Sequence, residues 1–331
     1  MTKKLVIFGN GLGRSFDNEF YQLERALKAS WDEKGVLDEE QKKLICNCLE
    51  DDIIEDELKA PTSEEQLKNL QKILDACDMI KTFEARDGAP DLGWLSEHGK
   101  RFPIAIRKYF HHAASQFHNP NKRLPEQFAS QLRKFVRSDR PHIATLNYDD
   151  LLYECFTDTD VFQEHMLRDG FFGEFNIERH RQFHDTNKEG WFLHLHGSPL
   201  FVNRNGSPRK ILRSQLFNYL GNNSVHLVLT NAKSKPAVIS NSQILSEYWS
   251  ELAKILEKPS DVTLFGYGGD DLHLNKLLAE ANDDTTIRIV CREGSKTKDQ
   301  AEKFWRGRLS PKSENKIAVT QVSKLNEFDG W

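Results

Sequence analysis

Hydrophobic positions along this chain follow two different periods. Leu5-Val6-Ile7-Phe8 is a short continuous apolar run with two β-branched residues, the pattern of a strand buried on both faces. Gly9, Gly11 and Gly13 follow it and allow a tight turn. Over the next stretch apolar residues recur at three- and four-residue spacing within residues 20–27, 39–58, 63–83, 103–117 and 125–136. Leu67, Leu70, Ile73, Leu74 and Cys77 form one such stripe, which predicts an amphipathic helix. Thr62-Ser63-Glu64-Glu65 supplies a capping signal ahead of it. Pro103 suits the first position of a further helix, where its missing N–H costs nothing. The stripes share no fixed repeat, so a solenoid is excluded.

From His142 onward strand and helix patterns alternate. Strands are predicted at 143–146, 191–195, 262–265, 287–291 and 317–322, with shorter candidates at 225–229 and 237–239. Helices are predicted from 150–156, at 244–256, 272–280 and 298–306, with a short one at 214–219. Such alternation implies an α/β fold: a Rossmann-like parallel sheet with helices on both faces. The expected organisation is a Rossmann-like unit of residues 1–16 and 141–331, with a helical insert of residues 17–140 after the first strand. Asn203-Arg204-Asn205-Gly206-Ser207-Pro208 reads as a surface turn.

With 331 residues the chain can bury a large core. Its net charge of −4 argues against coating nucleic acid, which needs a basic surface. The local run of Arg204, Arg209, Lys210 and Arg213 reads first as a solvated loop. No apolar run approaches the roughly 18–20 residues of a membrane span. The apolar part of the N-terminus ends at Gly9, too short for a signal peptide. Five scattered cysteines suggest reduced thiols in a cytoplasm. Cys46-Asn47-Cys48 lacks the second pair of a zinc ribbon.

Polar clusters stand where buried strands should end, and in an open parallel sheet those ends line one crevice. Gly9-Asn10-Gly11-Leu12-Gly13-Arg14-Ser15 would let backbone N–H groups approach a pyrophosphate, although Arg14 stands where a third fingerprint glycine belongs. A ligand-free strand-to-helix turn explains the same glycines. In Thr145-Leu146-Asn147-Tyr148-Asp149-Asp150, Asn147 offers a donor and an acceptor for a ribose hydroxyl or a water. Asp149 suits ribose or a loop, and Asp149 or Asp150 suits a helix cap, Asp150 the more so. In His194-Leu195-His196-Gly197-Ser198, His196 should project into the cleft as a general base. His194 lies deeper and reads as a satisfied core histidine. A metal on His194 and His196 would need further ligands, and none is evident. Gly266-Tyr267-Gly268-Gly269-Asp270-Asp271 reads equally as a ligand-binding loop and as a capped helix entry.

Taken together these motifs resemble the sirtuin-like superfamily, in which a glycine turn, an Asn-x-Asp motif and a His-Gly pair occur in this order. The counterparts here are Gly9-Asn10-Gly11, Asn147-Tyr148-Asp149 and His196-Gly197, with Gly266-Tyr267 similar to the later cofactor-binding turn. The spellings are most similar to prokaryotic sirtuin-like proteins of anti-phage defence. Protein-deacylating members carry a four-cysteine zinc module after the His, whereas only Cys291 follows His196 here. The resemblance therefore implies an NAD⁺ hydrolase that acts as a defence effector, with NAD⁺ as substrate and no metal. It implies catalytic Asn147 and His196. It implies cofactor contacts from Gly9, Asn10, Gly11, Gly13, Ser15, Asp149, Gly197, Ser198, Gly266 and Tyr267. The alternatives are a non-catalytic subunit that binds NAD or ADP-ribose, a protein deacylase, and a metal hydrolase. The resemblance further implies a homo-oligomer in the cytoplasm, with a HerA-type ATPase or a short Argonaute-like protein as partner.

Overall fold

The computed structural model describes residues 3–49, 58–84, 97–157, 166–183, 189–218, 224–294, 297–309 and 317–331. Strand β1 (Lys3–Phe8) is followed by six helices, α1 (Gly11–Phe16), α2 (Leu23–Asp32), α3 (Glu39–Cys48), α4 (Lys68–Glu84), α5 (Glu97–Ser115) and α6 (Glu126–Asp139). Next come β2 (His142–Thr145), α7 (Leu151–Thr157), β3 (Leu167–Arg168), β4 (Phe171–Phe172), β5 (Glu174–Phe175) and α8 (Ile177–Phe183). They lead to β6 (Gly190–His194), β7 (Phe201–Arg204), β8 (Ser207–Lys210), α9 (Lys235–Asn241) and α10 (Gln243–Leu256). The remainder alternates: β9 (Ser260–Phe265), α11 (Leu272–Ala279), β10 (Thr286–Arg292), α12 (Lys298–Leu309) and β11 (Ile317–Val322).

Seven strands form one parallel sheet in the order β11-β10-β9-β1-β2-β6-β3. β1 sits at its centre. Its alternating side chains feed two cores, as the two-residue period of a strand requires. Val6 and Phe8 face a cluster that takes in Trp31, Tyr109, Phe110 and Phe128 of the helices between β1 and β2. Leu5 and Ile7 face Leu245, Leu252, Leu274 and Trp305 of α10, α11 and α12. The fold is thus α/β and Rossmann-like, with helices on both faces. The helices between β1 and β2 share one continuous core with a face of the sheet. A buried aromatic group joins the layers there: Phe128 of α6 lies 5.7 Å from Phe265 of β9 and 5.5 Å from Trp331.

A second, antiparallel sheet, β4-β5-β8-β7, went unseen in the sequence because its strands are two to four residues long. Its β7–β8 turn has Asn205 at φ 52° and Gly206 at φ 81°, the left-handed pair of a tight hairpin. The basic run is not a loose loop: Arg209 pairs with Glu174, Lys210 with Asp169, and Arg213 with Asp150 at 3.4 Å. Carboxylates on neighbouring elements therefore neutralise these cations.

Three local expectations fail. Residues 237–239 belong to helix α9, which Pro236 opens; three apolar residues in a row cannot distinguish the two periods. Residues 225–229 form a 3-10 turn and a single antiparallel bridge from Leu227 to Gly197. Pro103 lies inside α5, which starts upstream at Glu97. Of the helix expected over 39–58, residues 50–57 lie outside the described residues, as does Tyr219 of the short one at 214–219.

Because the aromatic group spans helix and sheet, Phe128→Ala should cost about 3–5 kcal/mol of stability. Urea unfolding followed by far-ultraviolet dichroism and by tryptophan fluorescence should show both signals moving together to a lower midpoint.

Candidate active site

Strand register sets the site. Phe8 pairs with Thr145 and with Phe265, and Thr145 pairs with His194, so four strands end level. Asn10, Asn147, His196 and Tyr267 each stand two residues beyond these paired positions. The ladder runs one residue further on, through Gly9 N to Phe265 O at 2.9 Å, Leu146 N to Phe8 O at 3.0 Å and Leu195 N to Thr145 O at 2.9 Å. From β1 the chain moves to β2 on one side, and it later returns through β9 on the other. The connections diverge between β1 and β9, the place where open parallel sheets form a ligand crevice.

The glycines there have a packing reason of their own. Gly11 N donates to Gly266 O at 2.9 Å. A Cβ on Gly9 would stand 2.7 Å from Tyr267 Cα, and one on Gly11 would stand 2.5 Å from Gly266 O. Gly266 itself has φ 61°. The turns after β1 and β9 thus touch backbone to backbone, which no side chain would permit.

A cavity of about 270 Å³ opens beside this contact. Gly9, Asn10, Asn147, Asp149, His196 and Tyr267 all line it, together with Glu64, Lys235 and Asp271. Asn147 is 5 % exposed; its Nδ2 donates to Gly9 O at 3.2 Å, and its buried Oδ1 has no partner among the described residues. The carbonyl of Gly9 can only accept, so it fixes the amide's orientation. His196 Nε2 lies 2.8 Å from Asp271 Oδ2. Lys235 Nζ sits 3.2 Å from the same oxygen and 3.3 Å from Glu64 Oε2. Burial would raise the Asp271 carboxyl, but the hydrogen bond from His196 and the charges of His196 and Lys235 outweigh it and hold it well below the ordinary carboxylate range. Burial would likewise lower the Lys235 ammonium, yet Glu64 and Asp271 raise it. An ionised Asp271 only accepts, so His196 Nε2 carries a proton towards it. Asp271 also caps α11 by accepting from Leu274 N at 2.9 Å. The capped helix entry is thus present, and its loop lines the cavity.

A second cavity of about 430 Å³ shares Asn10, Tyr267, Gly268 and Asp270 with the first. Gly11, Ser15 and Gly266 line this one. The Ser15 hydroxyl already donates to Leu12 O at 2.9 Å. Three further candidates line neither cavity. Gly13 packs on the Tyr21 ring, 2.8 Å from where its Cβ would be. Gly197, at φ 81°, lies under the carbonyl of His226, and Ser198 Oγ accepts from Leu200 N at 3.2 Å. These last two turn the chain after His196.

Other expectations shift. Asp149, not Asp150, accepts from Leu151 N, at 3.1 Å. The Asp150 carboxylate instead faces His118 at 3.6 Å and Arg213. His194 is a core residue among the rings of Phe192, Phe201 and Tyr153, but its Nδ1 is buried without a partner among the described residues, and burial lowers its imidazole to about 3. Among the described residues no group of three or more His, Cys, Asp or Glu side chains is placed to hold a metal ion. No described helix is long and apolar enough to cross a membrane. Sequence reasoning missed Lys235 and the pairing of Asp271 with His196, and it took Glu64 for a capping residue. Each is an ordinary charge locally; only tertiary contact makes them a cluster.

Burial pushes the Asp149 carboxyl up to about 7; the hydrogen bond from Leu151 N opposes this shift and the Asp150 charge adds to it. The folded state then holds this proton more tightly than the unfolded one. Its stabilising contribution is complete below the unfolded pKa and is lost as pH rises towards 7. Asp149→Asn should lack that loss. Urea midpoints at about pH 4.5 and about pH 8 should show the variant gaining on the parent protein at the higher pH.

A scan against models of known protein families finds no match to this chain, and a search of curated proteins finds none either.

Proposed function

We propose that this chain hydrolyses NAD⁺ at the bond between nicotinamide and ribose. One observation carries the reading: an amide with an unpartnered buried oxygen, Asn147, and an imidazole aligned by a carboxylate, His196, line one cavity beside the glycine turn. Charge supports it as well. Four carboxyl side chains, Glu64, Asp149, Asp270 and Asp271, line the first cavity against one lysine, Lys235. A ligand with a pyridinium at one end complements that polarity.

In this reading the C1′–N bond breaks and its electron pair passes to the pyridinium nitrogen, so nicotinamide leaves neutral without an acid. Water adds to the cationic C1′ centre and gives up its proton to His196 Nδ1. Asn147 Oδ1 accepts a hydrogen bond from that water or from a ribose hydroxyl. Asp271 stays ionised and offsets the imidazolium that forms, as the carboxylate of a catalytic triad does. General-base assistance of this kind contributes about 10²–10⁴-fold. The motif resemblance extends the proposal to an effector of anti-phage defence. That effector would be cytoplasmic and oligomeric, and a HerA-type ATPase or a short Argonaute-like partner would trigger it.

Release of nicotinamide from NAD⁺, measured by chromatography, tests the chemistry, and titration calorimetry tests binding separately. His196→Ala and Asn147→Ala should each lower turnover by about 10²-fold or more while NAD⁺ still binds. Asp271→Asn should also slow turnover, since it leaves the imidazole without its aligning charge. Near-parental cleavage by His196→Ala would refute the assignment.

A further inference from the structure

The second cavity carries information that the reactive end does not. It continues the cleft past Asn10, Tyr267 and Gly268, at the carboxyl ends of β1, β9 and β10. Arg14 enters it from α1, and Arg292 from the last position of β10. Both side chains are exposed. Among the described residues no carboxylate pairs with either guanidinium; the Nε of Arg14 donates only to the amide oxygen of Asn18, at 2.9 Å. This contrasts with Arg107, Arg168, Arg181, Arg209 and Arg213, each held by an acid. The single acid of the cavity, Asp270, is engaged by Arg308 at 2.8 Å.

Two guanidiniums without a carboxylate partner among the described residues line one cavity; with the Arg14 Nε–H given to Asn18 they keep nine N–H donors and no acceptor. Sites selective for an unphosphorylated adenosine ribose present a carboxylate to its 2′-hydroxyl, whereas an arginine accommodates a 2′-phosphate. Here Arg308 engages Oδ1 of the carboxylate, and neither arginine has a carboxylate partner among the described residues. We propose that the Arg14–Arg292 cavity is a subsite for a 2′-phosphorylated adenosine, so that NADP⁺ is the preferred dinucleotide of this chain. The inference rests on the dinucleotide reading of the cleft and adds the substrate class. Hydrolysis would follow the same balance, releasing neutral nicotinamide and leaving the phosphorylated ribose product.

Binding tests it without requiring turnover. Calorimetry on the full chain compares NADP⁺ with NAD⁺, and adenosine 2′,5′-bisphosphate with AMP, pairs that differ only by the 2′-phosphate. The phosphorylated member of each pair should bind roughly tenfold tighter or more, the scale of one charge-assisted hydrogen bond. The double substitution Arg14→Gln with Arg292→Gln should remove most of that difference while NAD⁺ affinity changes little. Both positions are exposed, so folding should survive, and a thermal melt checks this. Equal or weaker binding of the phosphorylated members overturns the proposal and leaves the NAD⁺ reading standing. Equal weakening of both members by the double variant also overturns it, because the arginines would then contact the pyrophosphate. If neither dinucleotide nor either mononucleotide binds, the proposal falls together with the reading beneath it.

Discussion

The level ending of β1, β2, β6 and β9 is the constraint on which the site depends. Parallel pairing of Phe8 with Thr145 and Phe265, and of Thr145 with His194, places residues from four distant parts of the chain at one height. A shift of one residue in any pair would turn the polar side chain beyond that strand towards the opposite face. The register is protected because both faces of the sheet are buried in separate cores. The backbone contact between the turns at Gly11 and Gly266 adds to this, since it tolerates no Cβ. The cavity is thus a consequence of how the sheet is filled and not only of the polar residues around it.

The second feature is the price of charge in a buried place. Asp271 is 4 % exposed, and burial opposes its ionisation. His196 and Lys235 reverse that, while Glu64 balances Lys235 in turn. The four groups come from the end of β6, the start of α9, the cap of α11 and the segment before α4. The cluster therefore ties the helices between β1 and β2 to the rim of the sheet. Removing one partner from such a group leaves another charge buried and uncompensated, which is costly. Among the described residues Asp149 has no such counter-charge in hydrogen-bond contact, and its carboxyl rises instead. Two carboxylates lining one cavity are driven in opposite directions by what surrounds them.

Local pattern and tertiary contact divided the work in a physically sensible way. Long stripes such as that of α10, and continuous runs such as β1 and β9, are legible because a buried face repeats over enough residues to define its period. The two- to four-residue strands of the small sheet, and the turn at Gly197, are not. They are held by partners far away, Arg209 by Glu174 and Leu227 by Gly197. Within the site, Asn147, His196, Gly9 and Tyr267 announced themselves as polar or small residues directly after apolar runs. Gly13, Gly197 and Ser198 carried the same signal but serve the packing of the turns.

By itself the amino-acid sequence determined the alternation of strand and helix, the long helical excursion after β1, and the small set of polar residues at strand ends. Those follow from side-chain periodicity and from the conformational needs of glycine, which are local. The structure alone decided that Asp271 faces His196, that Lys235 and Glu64 complete its charge balance, and that Arg14 and Arg292 line one cavity. Those depend on strand order and on which element crosses which, and no single segment of the chain carries that information.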